Sequence, residues 1–198
     1  MLIISLSLTV TVLSFFFTLY YRSTRKSGTP AGIPERDRGK KLLLCAGLNA
    51  VILILSGPPA SKGSLLFFLL LAALADIDIL IRKIPTELLA FVCVYSVSRL
   101  FPFGLRSLPL FLSPLAAGVG LFLTRPKTRI GIYDILLVLF LSLCMESVSG
   151  QLKFFALFLI LWGLIGLAGT LNKKRGELIP LAPVIIIAWS ILVRTGLP

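Results

Sequence analysis

The chain has 198 residues, 57% of them hydrophobic and 14% charged, with a mean hydropathy of +1.01. That mixture cannot clothe a soluble domain in polar groups, so composition excludes an ordinary globular protein and points to a polytopic membrane protein. Twenty basic residues against eight acidic ones give a net charge of +12, and there is no histidine; its absence excludes serine–histidine and cysteine–histidine catalysis and the His-Glu-x-x-His zinc proteases.

In chain order, residues 1–20 are an apolar run with no positive charge ahead of it and no small-residue cleavage pattern after it, which predicts an uncleaved first helix. Residues 21–41 are rich in Pro, Gly and charge, with seven Lys/Arg against Glu35 and Asp37, and read as a basic cytoplasmic loop. Apolar runs follow at roughly 42–57, 64–81, 86–100, 108–124, 131–148, 152–171 and 177–195. They are interrupted by Gly57-Pro-Pro, Arg82-Lys-Ile-Pro, Phe101-Pro-Phe-Gly, Arg125-Pro-Lys, Ser149-Gly and Asn172-Lys-Lys-Arg-Gly. Residues 101–110 read as a loop or a re-entrant piece. The expected architecture is all-α: one integral membrane domain over 1–198, a bundle of about eight transmembrane helices, with no internal repeat.

With the amino terminus outside, fifteen of the twenty basic residues fall in loops on the inner side; Lys62, Arg99, Arg106, Lys153 and Arg194 remain outside. The basic residues are spread between apolar runs and form no single patch with interleaved aromatics, so the charge predicts topology and contact with anionic lipid headgroups, and no nucleic-acid partner. Cys45, Cys93 and Cys144 stand alone in apolar runs and read as buried, inert thiols, since no C-x-x-C pair offers a zinc or redox site.

The acids carry the functional signal. A carboxylate at hydrocarbon depth costs roughly 2.5 to 3.5 kcal/mol even on lenient insertion scales, so an intramembrane acid marks a site. Asp78 ends the third predicted helix and Asp134 opens the sixth, which places both at one depth on the inner side, although the topology used only hydropathy and basic residues. Two carboxylates within reach of each other share one proton. One can then take a proton from a water attacking a peptide carbonyl, while the other stabilises the oxyanion and protonates the leaving amine. Such hydrolysis needs no metal and no cofactor. Asp76 lies two residues from Asp78, about 200° around a helix, and cannot face the same partner. It reads as a substrate contact, a water-cavity residue or a partner for a basic side chain.

At these residues the chain resembles the prepilin peptidases, or type IV leader peptidases, the aspartic membrane proteases with a Gly-x-Gly-Asp motif. Ile77-Asp78 precedes Ile84-Pro85 at that family's Asp-x6-Pro spacing, and Gly131-Ile-Tyr133-Asp134 stands for Gly-x-Gly-Asp. Ile179-Pro-Leu-Ala-Pro183 is similar to the family's Ile-Pro-Phe-Gly-Pro-Phe segment. The resemblance implies an aspartic endopeptidase with Asp78 and Asp134 catalytic. Gly131, Tyr133, Pro85 and Asp76 would then lie toward the substrate, a prepilin or pseudopilin precursor whose basic leader is cut at the cytoplasmic face of a prokaryotic inner membrane. Three departures stand out. Tyr133 replaces the second glycine, Ile135 and Leu136 stand where many members carry Lys, and the first loop lacks the C-x-x-C pairs of members that also methylate, which implies cleavage alone.

Plainer readings exist for the same residues. Asp78 and Asp134 would pair with Arg82 or Arg129 at headgroup level; Gly131 would serve helix packing; Pro85, Pro180 and Pro183 would punctuate helix ends. Two other function classes remain: a small proton or cation transporter lined by Asp76, Asp78, Asp134 and Asn49, and a noncatalytic membrane scaffold. A carrier would place its acids near the bilayer midplane.

Overall fold

The computed structural model describes residues 7–16, 18, 35–56, 62–82, 84–99, 107–128, 130–171 and 180–195. Within them the chain is all-α, with no strand and eight helices: α1 (Ser7–Phe16), α2 (Glu35–Ser56), α3 (Lys62–Ile81), α4 (Thr86–Ser98), α5 (Ser107–Thr128), α6 (Ile132–Leu143), α7 (Val148–Leu171) and α8 (Ala182–Thr195).

Two of these hold a stretch long and apolar enough to cross a membrane, Leu108–Arg125 in α5 and Val148–Leu167 in α7. α3 has 20 residues, with Asp76 and Asp78 near its carboxyl end. α4, α6 and α8 have 13, 12 and 14 residues. Twelve residues reach about 18 Å, short of a hydrocarbon layer of roughly 30 Å. Against the eight crossings expected from hydropathy, two helices meet both criteria among the described residues.

Several boundaries differ from the sequence reading, each for a local reason. α2 begins at Glu35, so the predicted loop gives way to helix earlier than the apolar run suggests; residues 21–34 lie outside the described set. α6 stops at Leu143. Cys144 and Met145 then donate to carbonyls only three residues back, Leu141 and Ser142, and Ser147 starts α7 by accepting from the Gly150 amide at 3.0 Å, a side-chain N-cap. Ser149-Gly150, read from sequence as a break, is therefore the first turn of α7. Residues 107–110 belong to α5, and 101–106 lie outside the described set.

α8 is the central helix. It packs against α2, α3, α6 and α7 and is buried nearly all round, from Ala182 to Leu192. Trp189 on it meets Phe67 and Phe68 of α3 at ring-centroid distances of 5.6 and 5.3 Å, and Phe67 stacks on Tyr95 of α4. α5 is peripheral, packed on α6 and α7. Its mid-helix Pro114 cannot donate to the carbonyl of Leu110, four residues back. The buried Gln151 of α7 donates to that carbonyl at 2.8 Å instead, which keeps the helix continuous across its proline.

The outward faces are apolar. Leu43, Val94 and Leu123 are 78%, 69% and 72% exposed. In α1 the usual soluble pattern is inverted: Leu8, Val12, Leu13 and Phe16 point outward while Ser7, Thr11, Ser14 and Thr18 are buried. The spacing of those hydroxyl residues puts them on one helical stripe.

Candidate active site

Three helix ends converge on Asp78. α3 closes just after it: the Arg82 amide donates to the Asp78 carbonyl at 2.8 Å, and Arg82 takes a left-handed φ of 53°, which ends the helix in the manner of an αL cap. The break thus precedes the proline. Pro85, buried and extended at φ −63°, instead caps the start of α4, accepting from the Leu89 amide through its carbonyl. The Asp78 carboxylate is 5% exposed and accepts a hydrogen bond at 3.0 Å from the backbone amide of Ala182, the first residue of α8, with the Leu181 amide alongside. A carboxylate on a helix N-terminus meets free amides and the positive end of the dipole.

Asp134 occupies the equivalent place on α6. It is the third residue of that helix, and its Oδ2 accepts from the amide of Gly131, the N-cap, at 3.1 Å. Glycine has no side chain with which to reciprocate, so this is half of a capping box. A Cβ at position 131 would come within 2.7 Å of Asp134 Oδ2, so the carboxylate lies folded against the space that glycine leaves. The backbone there, φ −69° and ψ 150°, is open to any residue; contact, and not conformation, asks for glycine. Asp78 lies close enough for its charge to act on Asp134. The acids on α3 and α6 and the amides of α8 therefore form one cluster.

Between described residues there is one ion pair, Arg99 with Glu146 at 2.7 Å on the surface. Neither Asp78 nor Asp134 is in one. Arg82 acts on Asp78 electrostatically without pairing, and Arg129 lies outside the described residues. Tyr133, second in α6, is 43% exposed. Among the described residues no group of three His, Cys, Asp or Glu side chains could hold a metal ion. Of the cysteines, all three are free; Cys45 is buried while Cys93 and Cys144 are partly exposed.

Asp76 goes elsewhere. It is fully buried against α1 and α2, where Asn49 Nδ2 donates to its Oδ2 at 2.7 Å and to Thr11 Oγ1 at 3.0 Å. The half-turn that separates it from Asp78 puts the two acids in different environments. Thr11 and Ser14 of α1 escaped the sequence reading, although hydroxyls at 7, 11, 14 and 18 in an apolar run are a legible stripe. The Ala182 amide had no side-chain signal to find.

No known protein-family model, no curated protein and no solved structure matches this chain.

Proposed function

We propose that the chain is a polytopic intramembrane aspartic endopeptidase of the prepilin-peptidase type, with Asp78 and Asp134 as its dyad. The observation that carries the reading is the convergence of these two like charges, from helices 56 positions apart in sequence, at the amino-terminal ends of α6 and α8. Nothing basic pairs with either acid among the described residues.

Membrane embedding is supported by the apolar outer faces and by the inverted α1, which turns hydroxyls inward and Leu and Phe outward. In water that arrangement would expose apolar area and bury polar groups, a loss on both counts. In lipid it is the favourable one. The shorter helices would cross with the help of flanking residues or a locally thinned bilayer.

In the reaction, the ionised dyad member draws a proton from a water. That water's oxygen attacks the scissile carbonyl, and the protonated member supports the oxyanion before giving its proton to the leaving amine. The substrate would be a prepilin or pseudopilin precursor, cleaved at the cytoplasmic membrane face between its basic leader and its hydrophobic helix. Tyr133, exposed beside Asp134, is placed to meet that substrate, while Gly131 acts through Asp134. Basic residues at 22–41 and 125–129 suit anionic headgroups better than a basic leader.

The test is co-expression with a tagged prepilin-like precursor, scoring leader removal by gel shift. Asp78→Asn and Asp134→Asn should each lower cleavage at least about 10²-fold, the usual minimum for a lost general acid or base. Asp76→Asn should retain cleavage per folded molecule. Cleavage that survives either dyad substitution sinks the proposal and moves the transporter reading ahead.

A further inference from the structure

Among the described residues, the buried side-chain atoms without a hydrogen-bond partner are Ser14 Oγ, Asn49 Oδ1, Asp76 Oδ1, Gln151 Oε1, Trp189 Nε1 and Ser190 Oγ. The first three come from three different helices, and their residues adjoin one another. Ser14 and Thr11 of α1 and Cys45 of α2 all lie beside the Asp76 carboxylate, and the Asn49 amide bridges Asp76 and Thr11.

The donor and acceptor inventory of the cluster is lopsided. Both bonds from Asn49 Nδ2 are spent, on Asp76 and on Thr11. The Thr11 hydroxyl donates to the Ser7 carbonyl at 2.9 Å. Thr18 and Ser96 likewise return their hydroxyls to the carbonyl four residues back, the usual refuge of a hydroxyl in an apolar helix. Ser14 makes no such bond. What remains unpaired is one carboxylate oxygen, one amide oxygen and one hydroxyl, each from a side chain at most 2% exposed, with the Ser14 hydroxyl and the Cys45 thiol as the donors still beside them. The carboxylate has no basic partner, and none of its neighbours is charged. A buried negative charge in such a place is costly unless a proton neutralises it or a cation compensates it.

We infer that Asp76, Asn49, Ser14 and Thr11 form a binding site for one small monovalent cation of the sodium class, holding α1 against α2 and α3. Charge selects the class. One carboxylate among neutral oxygens is neutralised by a single positive charge, whereas a divalent ion would leave an excess charge in an apolar bundle. The donors are hard oxygens, which suit alkali and alkaline-earth ions and not the thiolate- or imidazole-seeking metals. This site is separate from the Asp78–Asp134 cluster and does not rest on the protease reading.

The experiment is thermal unfolding of the purified full chain in detergent micelles at one pH and one ionic strength, titrating sodium chloride against choline chloride and, separately, potassium against choline. The expected result is a saturable rise in unfolding temperature with sodium, larger than with potassium. It should be lost in Asp76→Asn, weakened in the milder Ser14→Ala, and kept in Asp78→Asn. A wild-type unfolding temperature indifferent to sodium overturns the inference and assigns the charge compensation to a proton on Asp76. So does a sodium response that persists in both Asp76→Asn and Ser14→Ala. Cleavage is not the readout, so this result and that of the leader-removal assay fail or succeed independently.

Discussion

Asp76 and Asp78 stand two residues apart on one helix and are both buried, at 0% and 5% exposure, yet their surroundings share almost nothing. Asp76 is wrapped by neutral side chains, Asn49, Thr11, Ser14 and Cys45, from the two helices that precede it. Asp78 is met by backbone: the Ala182 amide at the start of a helix 104 residues later, with a second carboxylate across the cluster. Burial is therefore no guide to which acid would serve the proposed chemistry. The partners are. Side-chain partners tie an acid into the architecture, while amides at helix ends leave it facing a site where like charges meet.

The sharpest way to break that contrast is to remove the amide. In Ala182→Pro the donor to Asp78 is lost, while a first-turn position tolerates proline because its amide has no intrahelical partner. A hydrogen bond to a charged group is worth about 1.5–3 kcal/mol, so leader cleavage per folded molecule should fall roughly 10- to 100-fold, with helix content by circular dichroism unchanged. If cleavage survives with Asp78 thus deprived, the α8 terminus is only structural and the dyad needs another positioning group.

The complementary substitution is Asn49→Leu, which acts on the other acid. It removes the Asn49 amide that donates to Asp76 at 2.7 Å and leaves a buried acceptor poorer by one bond, at a cost of about 1–3 kcal/mol. The unfolding temperature should drop while cleavage per folded molecule stays near wild type. A loss of cleavage at unchanged stability would instead join the two acids into one functional unit and dissolve the distinction drawn above.

What was legible in the sequence follows the same division. The eight helical segments came from hydropathy alone, and most limits fall within a few residues of the apolar runs, because Gly, Pro and charge punctuate them. The end of α6 was missed because the signal there is a single hydroxyl, Ser147, capping α7 two residues before the Ser-Gly pair that looked like the break. The segments of the Asp78–Asp134 cluster were readable as spacing: Asp78 with Pro85, Gly131 with Asp134, and Pro180 with Pro183. That Ala182 supplies the bond was not readable, since every residue but proline owns an amide and only the fold aims it. Asp76's partners were half-visible. Asn49 stood out as a polar residue in an apolar run, whereas Thr11 and Ser14 looked like ordinary small residues until their stripe met Asp76.

The smallest expected effect comes from Gly131→Ala, and it asks whether the glycine serves the substrate or the acid. The backbone at 131 accepts alanine, so the fold should persist with stability changed by less than about 1 kcal/mol. The new Cβ, however, would stand 2.7 Å from Asp134 Oδ2. The yielding atom is the end of a short side chain, so the carboxylate itself must move, weakening the bond it accepts from the position-131 amide. A shift of the reacting group, with the substrate surface at Tyr133 left intact, lowers kcat. A glycine that touches substrate directly would raise KM instead. The expectation is a three- to tenfold fall in kcat at nearly constant KM, measured with a peptide spanning the cleavage junction. A rise in KM alone would move Gly131 from the service of Asp134 to that of the substrate.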